Sequence, residues 1–176
     1  MKNFAKSLLG LLLYFLLLFG MIFLLSNYVI GQVQVDGDSM NPTLQNDDRL
    51  FVNKFTYRVR DLDRFDIVVF EYAYETDTYY IKRVIGLPGE RVRIDADGQI
   101  WINDALLEED YGAETIFDPG IAEEEITLGK DEYFVLGDNR NNSSDSRDPD
   151  VGAVDKDQIL GNAWLRIMPN FGLLND

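Results

Sequence analysis

Two short stretches carry residue types that could do chemistry. The first, Asp36-Gly37-Asp38-Ser39-Met40-Asn41-Pro42-Thr43-Leu44, sets a serine hydroxyl among turn-forming residues. The second, Tyr79-Tyr80-Ile81-Lys82-Arg83-Val84-Ile85, sets two cations side by side in a β-branched and aromatic run. A serine becomes a strong nucleophile only beside a base. The chain contains neither histidine nor cysteine. Ser-His-Asp triads, Cys-His pairs, thiol chemistry and histidine-ligated zinc are therefore excluded. Proton transfer falls to Asp, Glu, Lys, Tyr or the backbone.

Lys82 stands out among the lysines because apolar residues surround it in sequence. In a strand Tyr80, Lys82 and Val84 share one face and Ile81, Arg83 and Ile85 the other, so one of the two cations must lean toward an apolar side. An ordinary lysine is neutral in only about one molecule in 2,500 at pH 7. Burial lowers its pKa by up to ~3–5 units and makes it a competent base. The same pattern also suits an edge lysine whose stem covers the core while its head reaches water.

A third stretch, Gly137-Asp138-Asn139-Arg140-Asn141-Asn142-Ser143-Ser144-Asp145-Ser146-Arg147-Asp148, follows a strand-like run. It reads either as a solvated loop or as a hydrogen-bonded scaffold that brings hydroxyls and ion pairs to a site. Counted from Asp138, its spacing places Arg140, Ser143 and Pro149 where a Ca²⁺ loop needs an oxygen ligand, a glycine and a glutamate. Asn142-Ser143-Ser144 fits a glycosylation sequon, a weak signal, and Gly129-Lys130 lacks the preceding glycine of a phosphate loop.

The elements that must position these residues begin with an apolar run from Leu8 to Leu25. Eighteen helical residues span ~27 Å, about a bilayer core, and the leucines, isoleucine and phenylalanines favour insertion by roughly 4–8 kcal/mol. A cleavable leader would have an apolar region of ~7–15 residues ending in small residues, whereas this run exits as Ser26-Asn27-Tyr28. A retained transmembrane helix over 7–27 is expected. Lys2 and Lys6 precede the run and the next basic residue is Arg49, so residues 1–6 are expected in the cytoplasm and 28–176 outside. The net charge is −15, and all the acidic residues lie beyond position 30. Such an acidic domain suits solubility and argues against nucleic acid and against electrostatic docking on anionic lipid.

Beyond the anchor the pattern is β. Runs over 49–55, 66–72, 79–87, 90–94, 99–103, 132–138 and 159–168 are rich in β-branched and aromatic residues and bounded by turn signals. Arg91–Ile94 and Gln99–Ile102, joined by Asp-Ala-Asp-Gly, predict a hairpin. Residues 104–131 are acidic and loop-like and are expected to decorate the outside of a second, smaller sheet.

These stretches, in this order, resemble the type I signal peptidases, membrane-anchored Ser-Lys endopeptidases, of the branch with a single anchor and a short middle region. The resemblance implies a mainly antiparallel β catalytic domain with a small inserted β region at about 90–131. It implies Ser39 as nucleophile and Lys82 as general base, with Ser143 helping to orient the amine. Asp138, Asp145, Arg147 and Arg83 match supporting ion-pair residues, with Arg83 resembling a partner of Asp138. Val35, Met40, Tyr80 and Ile81 match positions lining shallow apolar pockets. Some relatives carry a serine where Gly37 stands, and its hydroxyl assists the oxyanion hole; here the second donor is open. The implied substrates are the signal peptides of exported preproteins, cut after small residues at Ala-X-Ala-like sites. The bilayer and the protein-export machinery are the implied partners, and no metal, nucleotide or other cofactor is implied. Two rival readings are a soluble self-cleaving repressor, which lacks the anchor, and an inactive homologue acting in secretion or pilus assembly, which would be expected to lack the serine or the lysine.

Overall fold

A computed structural model describes residues 2–55, 60–75 and 77–174. Of the expected segments, Met1 of the amino-terminal stretch and residues 56–59, 76, 175 and 176 of the outer domain lie outside the described residues. The chain is one apolar helix followed by antiparallel β structure, the class expected from sequence. Helix α1, Lys2–Tyr28, contains an 18-residue window, Lys6–Phe23, long and apolar enough to cross a membrane and not buried against the domain.

The main sheet is ordered β1-β2-β11-β3-β4-β9-β10, with β12 added to β11. Its strands are β1 Ile30–Gln34, β2 Arg49–Asn53, β3 Ile67–Glu71, β4 Tyr79–Gly86, β9 Glu132–Leu136, β10 Val154–Asp155, β11 Ile159–Met168 and β12 Gly172–Leu173. The smaller sheet, β7-β6-β5-β8, comprises β5 Arg91–Ile94, β6 Ile100–Ile102, β7 Ala105–Leu106 and β8 Ile126–Thr127. The hairpin read from sequence is β5–β6, with Val92 opposite Ile102 and Ile94 opposite Ile100.

Alternation along the strands feeds three apolar cores. Val69 and Ile81 pack with Val35, Met40, Leu44 and Leu50. Val68, Phe70 and Val84 pack with Tyr133 and Val135, on the other face of the same strands. Ile85, Val92, Ile100 and Phe134 join the smaller sheet to the main one. Gly86 sits where this third core meets β4; a side chain there would come within 2.6 Å of Val92 and 2.8 Å of Leu128. The glycine lets the two sheets approach this closely.

The acidic segment 104–131 departs from the sequence expectation. Residues 104–131 do more than decorate the smaller sheet. Ile116, Ala122 and Leu128 are buried in its core, and the preceding residues cross to the loop after β9. No helical or strand period marks these contacts, because the partners lie far away in sequence.

Candidate active site

Ser39 sits in a hydrogen-bonded turn. Asn41 N donates to Asp38 O and Leu44 N to Met40 O, at 3.1 and 2.9 Å. Met40 and Leu44 are anchored in the core, so the turn is fixed from below. Gly37 adopts φ +98°, the left-handed region that favours glycine. Its N–H donates to Asn46 Oδ1 at 2.9 Å and is therefore committed within the turn. Among the described residues no acceptor takes the N–H of Ser39 or Met40.

β4 carries Lys82 to this turn. Lys82 Nζ lies 2.8 Å from Ser39 Oγ and 3.1 Å from Ile81 O, and 5.1 Å from the Tyr80 ring centroid. The residue is only 3% exposed. Desolvation is the main influence on the amine and draws its pKa down to about 8, against the opposing pull of Asp145 and Asp138. About one molecule in ten is then neutral at pH 7. In the charged form the ammonium donates to Oγ. Once the amine is neutral, the same separation lets the Ser39 hydroxyl donate to nitrogen.

Arg83, the next residue, has a different environment. Its Nε and Nη2 grip Asp138 Oδ1 and Oδ2 at 2.9 and 2.7 Å, and its Nη1 donates to Phe65 O at 2.9 Å. The guanidinium lies 3.7 Å from the Tyr111 ring centroid. Asp145 accepts from Arg147 Nε and Nη2 at 2.8 and 2.9 Å and from Gly137 N at 3.0 Å. The pairs Arg83–Asp138 and Asp145–Arg147 are both buried. They brace the loop 137–147, whose Asn139 N donates back to Ser39 O at 3.0 Å.

Ser143 is placed differently from the expectation. Lys82 Nζ makes its bonds to Ser39 and to Ile81 O, while Ser143 Oγ is buried with no hydrogen-bond partner among the described residues. Gly137 has no side chain, and the Ser143 hydroxyl fills the space where a Cβ would stand, 2.2 Å from that position. The bond expected from Ser143 to the lysine amine is not made in this structure.

A cleft of about 550 Å³ opens at the Ser39–Lys82 pair. Val35, Met40, Tyr80 and Ile81 line it, as does Val69; Gly37 does not. Its two walls are strand edges. β1 is the border strand of the main sheet, and β4 pairs with β9 only from Arg83 onward, which leaves the edge of Tyr79–Lys82 without a strand partner among the described residues. Because each neighbour from β1 through β2, β11 and β3 to β4 is antiparallel, β1 and β4 run in the same direction. The arrangement offers main-chain donors and acceptors on both sides of an extended segment.

Sequence reasoning passed over several residues that build this site: Asn46, Thr43, Asn139, Arg140, Glu109 and Tyr111. Arg140 Nη1 and Nη2 meet Glu109 at 2.8 and 3.0 Å. Thr43 lies in the serine stretch, and Asn139 and Arg140 lie in the third stretch, which also carries the family resemblance, but no role was read for any of them. Among the described residues no group of three or more acidic side chains could hold a metal ion.

The family model described as "Signal peptidase, peptidase S26" matches residues 8–168. A protein named probable signal peptidase I-2 from Synechocystis sp. is 41% identical over 149 residues, which cover 81% of this chain and 66% of that protein, just under two thirds of its length. Signal peptidase I P of Bacillus subtilis subsp. natto is 38% identical over 85% of this chain and 83% of its own. Signal peptidase IB of Staphylococcus aureus is 32% identical over 93% and 91%. A crystal structure of a signal peptidase I from Enterococcus faecalis aligns with a TM-score of 0.47 and 33% identity, covering 58% of this chain and 97% of the other. With the family model spanning most of the chain and relatives matching along it, this chain belongs to the signal peptidase family, peptidase S26.

Proposed function

We propose that this chain is a membrane-anchored serine endopeptidase that removes signal peptides from exported preproteins, with Ser39 as nucleophile and Lys82 as general base. The observation that carries the reading is the desolvated Lys82 amine 2.8 Å from the Ser39 hydroxyl, in a chain without histidine. Residues 1–6 lie in the cytoplasm, 7–27 cross the membrane and 28–176 form the outer domain, with an inserted β region at about 90–131. The bilayer and the export machinery are the surroundings in which preproteins reach the site.

The substrate lies extended between the edges of β1 and β4, with small side chains in the shallow pockets made by Val35, Met40, Tyr80 and Ile81. Neutral Lys82 accepts the Ser39 proton as Oγ attacks the carbonyl after a small residue. The oxyanion meets the N–H of Ser39. Because Gly37 has no hydroxyl and its own N–H is held by Asn46, the open Met40 N–H is the available neighbouring donor. The lysine ammonium returns its proton to the departing amine, the C–N bond breaks and an acyl-Ser39 ester remains. Lys82 then takes a proton from water, which attacks the ester and frees the signal peptide carboxylate and the serine hydroxyl.

Purified protein reconstituted with a preprotein tests this directly. Wild type should release the mature protein, and Ser39→Ala and Lys82→Ala should each abolish release. Unchanged cutting by either variant would sink the assignment of that residue.

A further inference from the structure

Residues 107–118 form a strap between the two sheets. Both of its ends are rooted in the smaller one: Leu107 N donates to Ile100 O at 2.8 Å, and Ile116 is buried in that sheet's core. Between these roots Glu109 and Ala113 reach the loop after β9 and Tyr111 reaches Arg83 on β4. Glu109 holds Arg140 with both carboxylate oxygens, in a pair whose side chains are 11% and 2% exposed. Tyr111 lays its ring against the Arg83 guanidinium at 3.7 Å. Ala113 N donates to Asp138 O at 2.9 Å.

The Glu109 and Tyr111 contacts lead on to the Ser39–Lys82 pair, through Gly137 and through Asp138. Arg140 Nε donates to Gly137 O at 3.1 Å, and a Cβ at Gly137 would stand 2.4 Å from Ser39 O. Gly137 is thus pressed against the main chain of the serine, and Arg140 holds it there. Arg83 neutralises Asp138, one of the two carboxylates whose charge acts on Lys82. The loop that sets the position of Ser39 is therefore held on one side by β4 and on the other by the strap.

We propose that Tyr111 and Glu109 are positioning residues for the Ser39–Lys82 pair, acting through Arg83 and Arg140, so that the smaller sheet serves as the mount on which the site's loop is aligned. The inference rests on the peptidase reading above. Positioning groups of this kind act on rate more than on binding, and a misplacement of about 1 Å can cost about 10²-fold. They also act on the lysine. Its surroundings are the Ser39 hydroxyl, the Ile81 carbonyl, the Tyr80 ring, and the charges of Asp138 and Asp145. If Arg83 loosens, Asp138 is less neutralised and water reaches the amine. Both changes favour the ammonium and move the acid limb of the rate profile to higher pH.

The test uses the full chain in lipid vesicles with a preprotein substrate and scores kcat, KM and the pH profile separately. Wild type and Ser39→Ala are measured first; an inactive wild type or an active Ser39→Ala counts against the peptidase reading, before any strap variant is scored. Tyr111→Ala should then lower kcat by about 10–100-fold, leave KM within about twofold, and shift the acid limb upward. Tyr111→Phe, which keeps the ring face under Arg83, should restore both. Glu109→Gln keeps the shape, removes the charge opposite Arg140, and should lower kcat in the same way; it decides the question if Tyr111→Ala fails to fold. Wild-type kcat and pH profile in both Tyr111→Ala and Glu109→Gln would overturn the proposal. So would a Tyr111→Phe as impaired as Tyr111→Ala, or a loss confined to KM.

Discussion

Lys82 and Arg83 are adjacent on β4, both cationic and both almost fully buried, yet the two sides of the strand treat their charges in opposite ways. On the Asp138 side the guanidinium has a bidentate carboxylate, a main-chain carbonyl and a ring face. On the Ser39 side the amine has a hydroxyl and one carbonyl, and its carboxylates act only at a distance. A buried charge with a matched partner keeps its charge and becomes a strut. A buried charge without one is driven toward neutrality, and for lysine the neutral form is a base. Burial alone therefore does not set the two residues apart; the presence or absence of a charged partner in contact does.

The largest effect is expected at Lys82 itself. Lys82→Met, which keeps the bulk and removes the amine, should lower preprotein cleavage by about 10⁴-fold or more, read as single-turnover rate. Arg83→Met should act on folding first. It leaves Asp138 buried and unpaired, which costs about 3–5 kcal/mol, and urea denaturation should show that loss.

Lys82→Met should move stability the other way. The unfolded lysine titrates near the usual 10.5 and the folded one at about 8, so between these values the unfolded chain binds more protons and wild-type stability rises with pH. Below pH 8 the full penalty of the buried ammonium is present. The variant should therefore be more stable than wild type at pH 7, by on the order of 3 kcal/mol, with the gap closing toward pH 10.5. A gap that is constant with pH would contradict the account.

Gly137→Ala should cost about 1–3 kcal/mol, because its Cβ would overlap Ser143 Oγ and Ser39 O, and thermal melts would register it. The smallest effect is expected at Arg91, which pairs with Asp104 and Glu125 on the surface. Water already solvates those charges, and Arg91→Ala should leave the melting temperature within experimental error.

Much of the frame was legible in the sequence because local composition carried it. Ile67–Glu71 and Tyr79–Gly86 are dense in β-branched and aromatic side chains and Ile159–Met168 in apolar ones, and all three are strands. The strand Ile30–Gln34 was not anticipated. Its sequence, IGQVQ, includes a glycine and two glutamines and is a strand because Arg49–Asn53 pairs with it. The two-residue strands β7, β8, β10 and β12 likewise depend on partners rather than on pattern. At the site, Ser39 and Lys82 could be singled out because the missing histidine narrowed the chemistry. Glu109 and Tyr111 could not, since their arginine partners lie 31 and 28 residues away. Ser143 packs against Gly137, a contact that residue type does not carry.

The central claim, that a desolvated Lys82 amine activates Ser39, is tested most directly by the pH dependence of the acylation rate on a preprotein in vesicles. The account predicts a rate that rises with pH through a single ionisation near 8 and levels off above it, with the rise lost in Lys82→Met. A rate independent of pH between about 6 and 9, or a limb in the ordinary carboxylate range near 4 that survives in Lys82→Met, would contradict it.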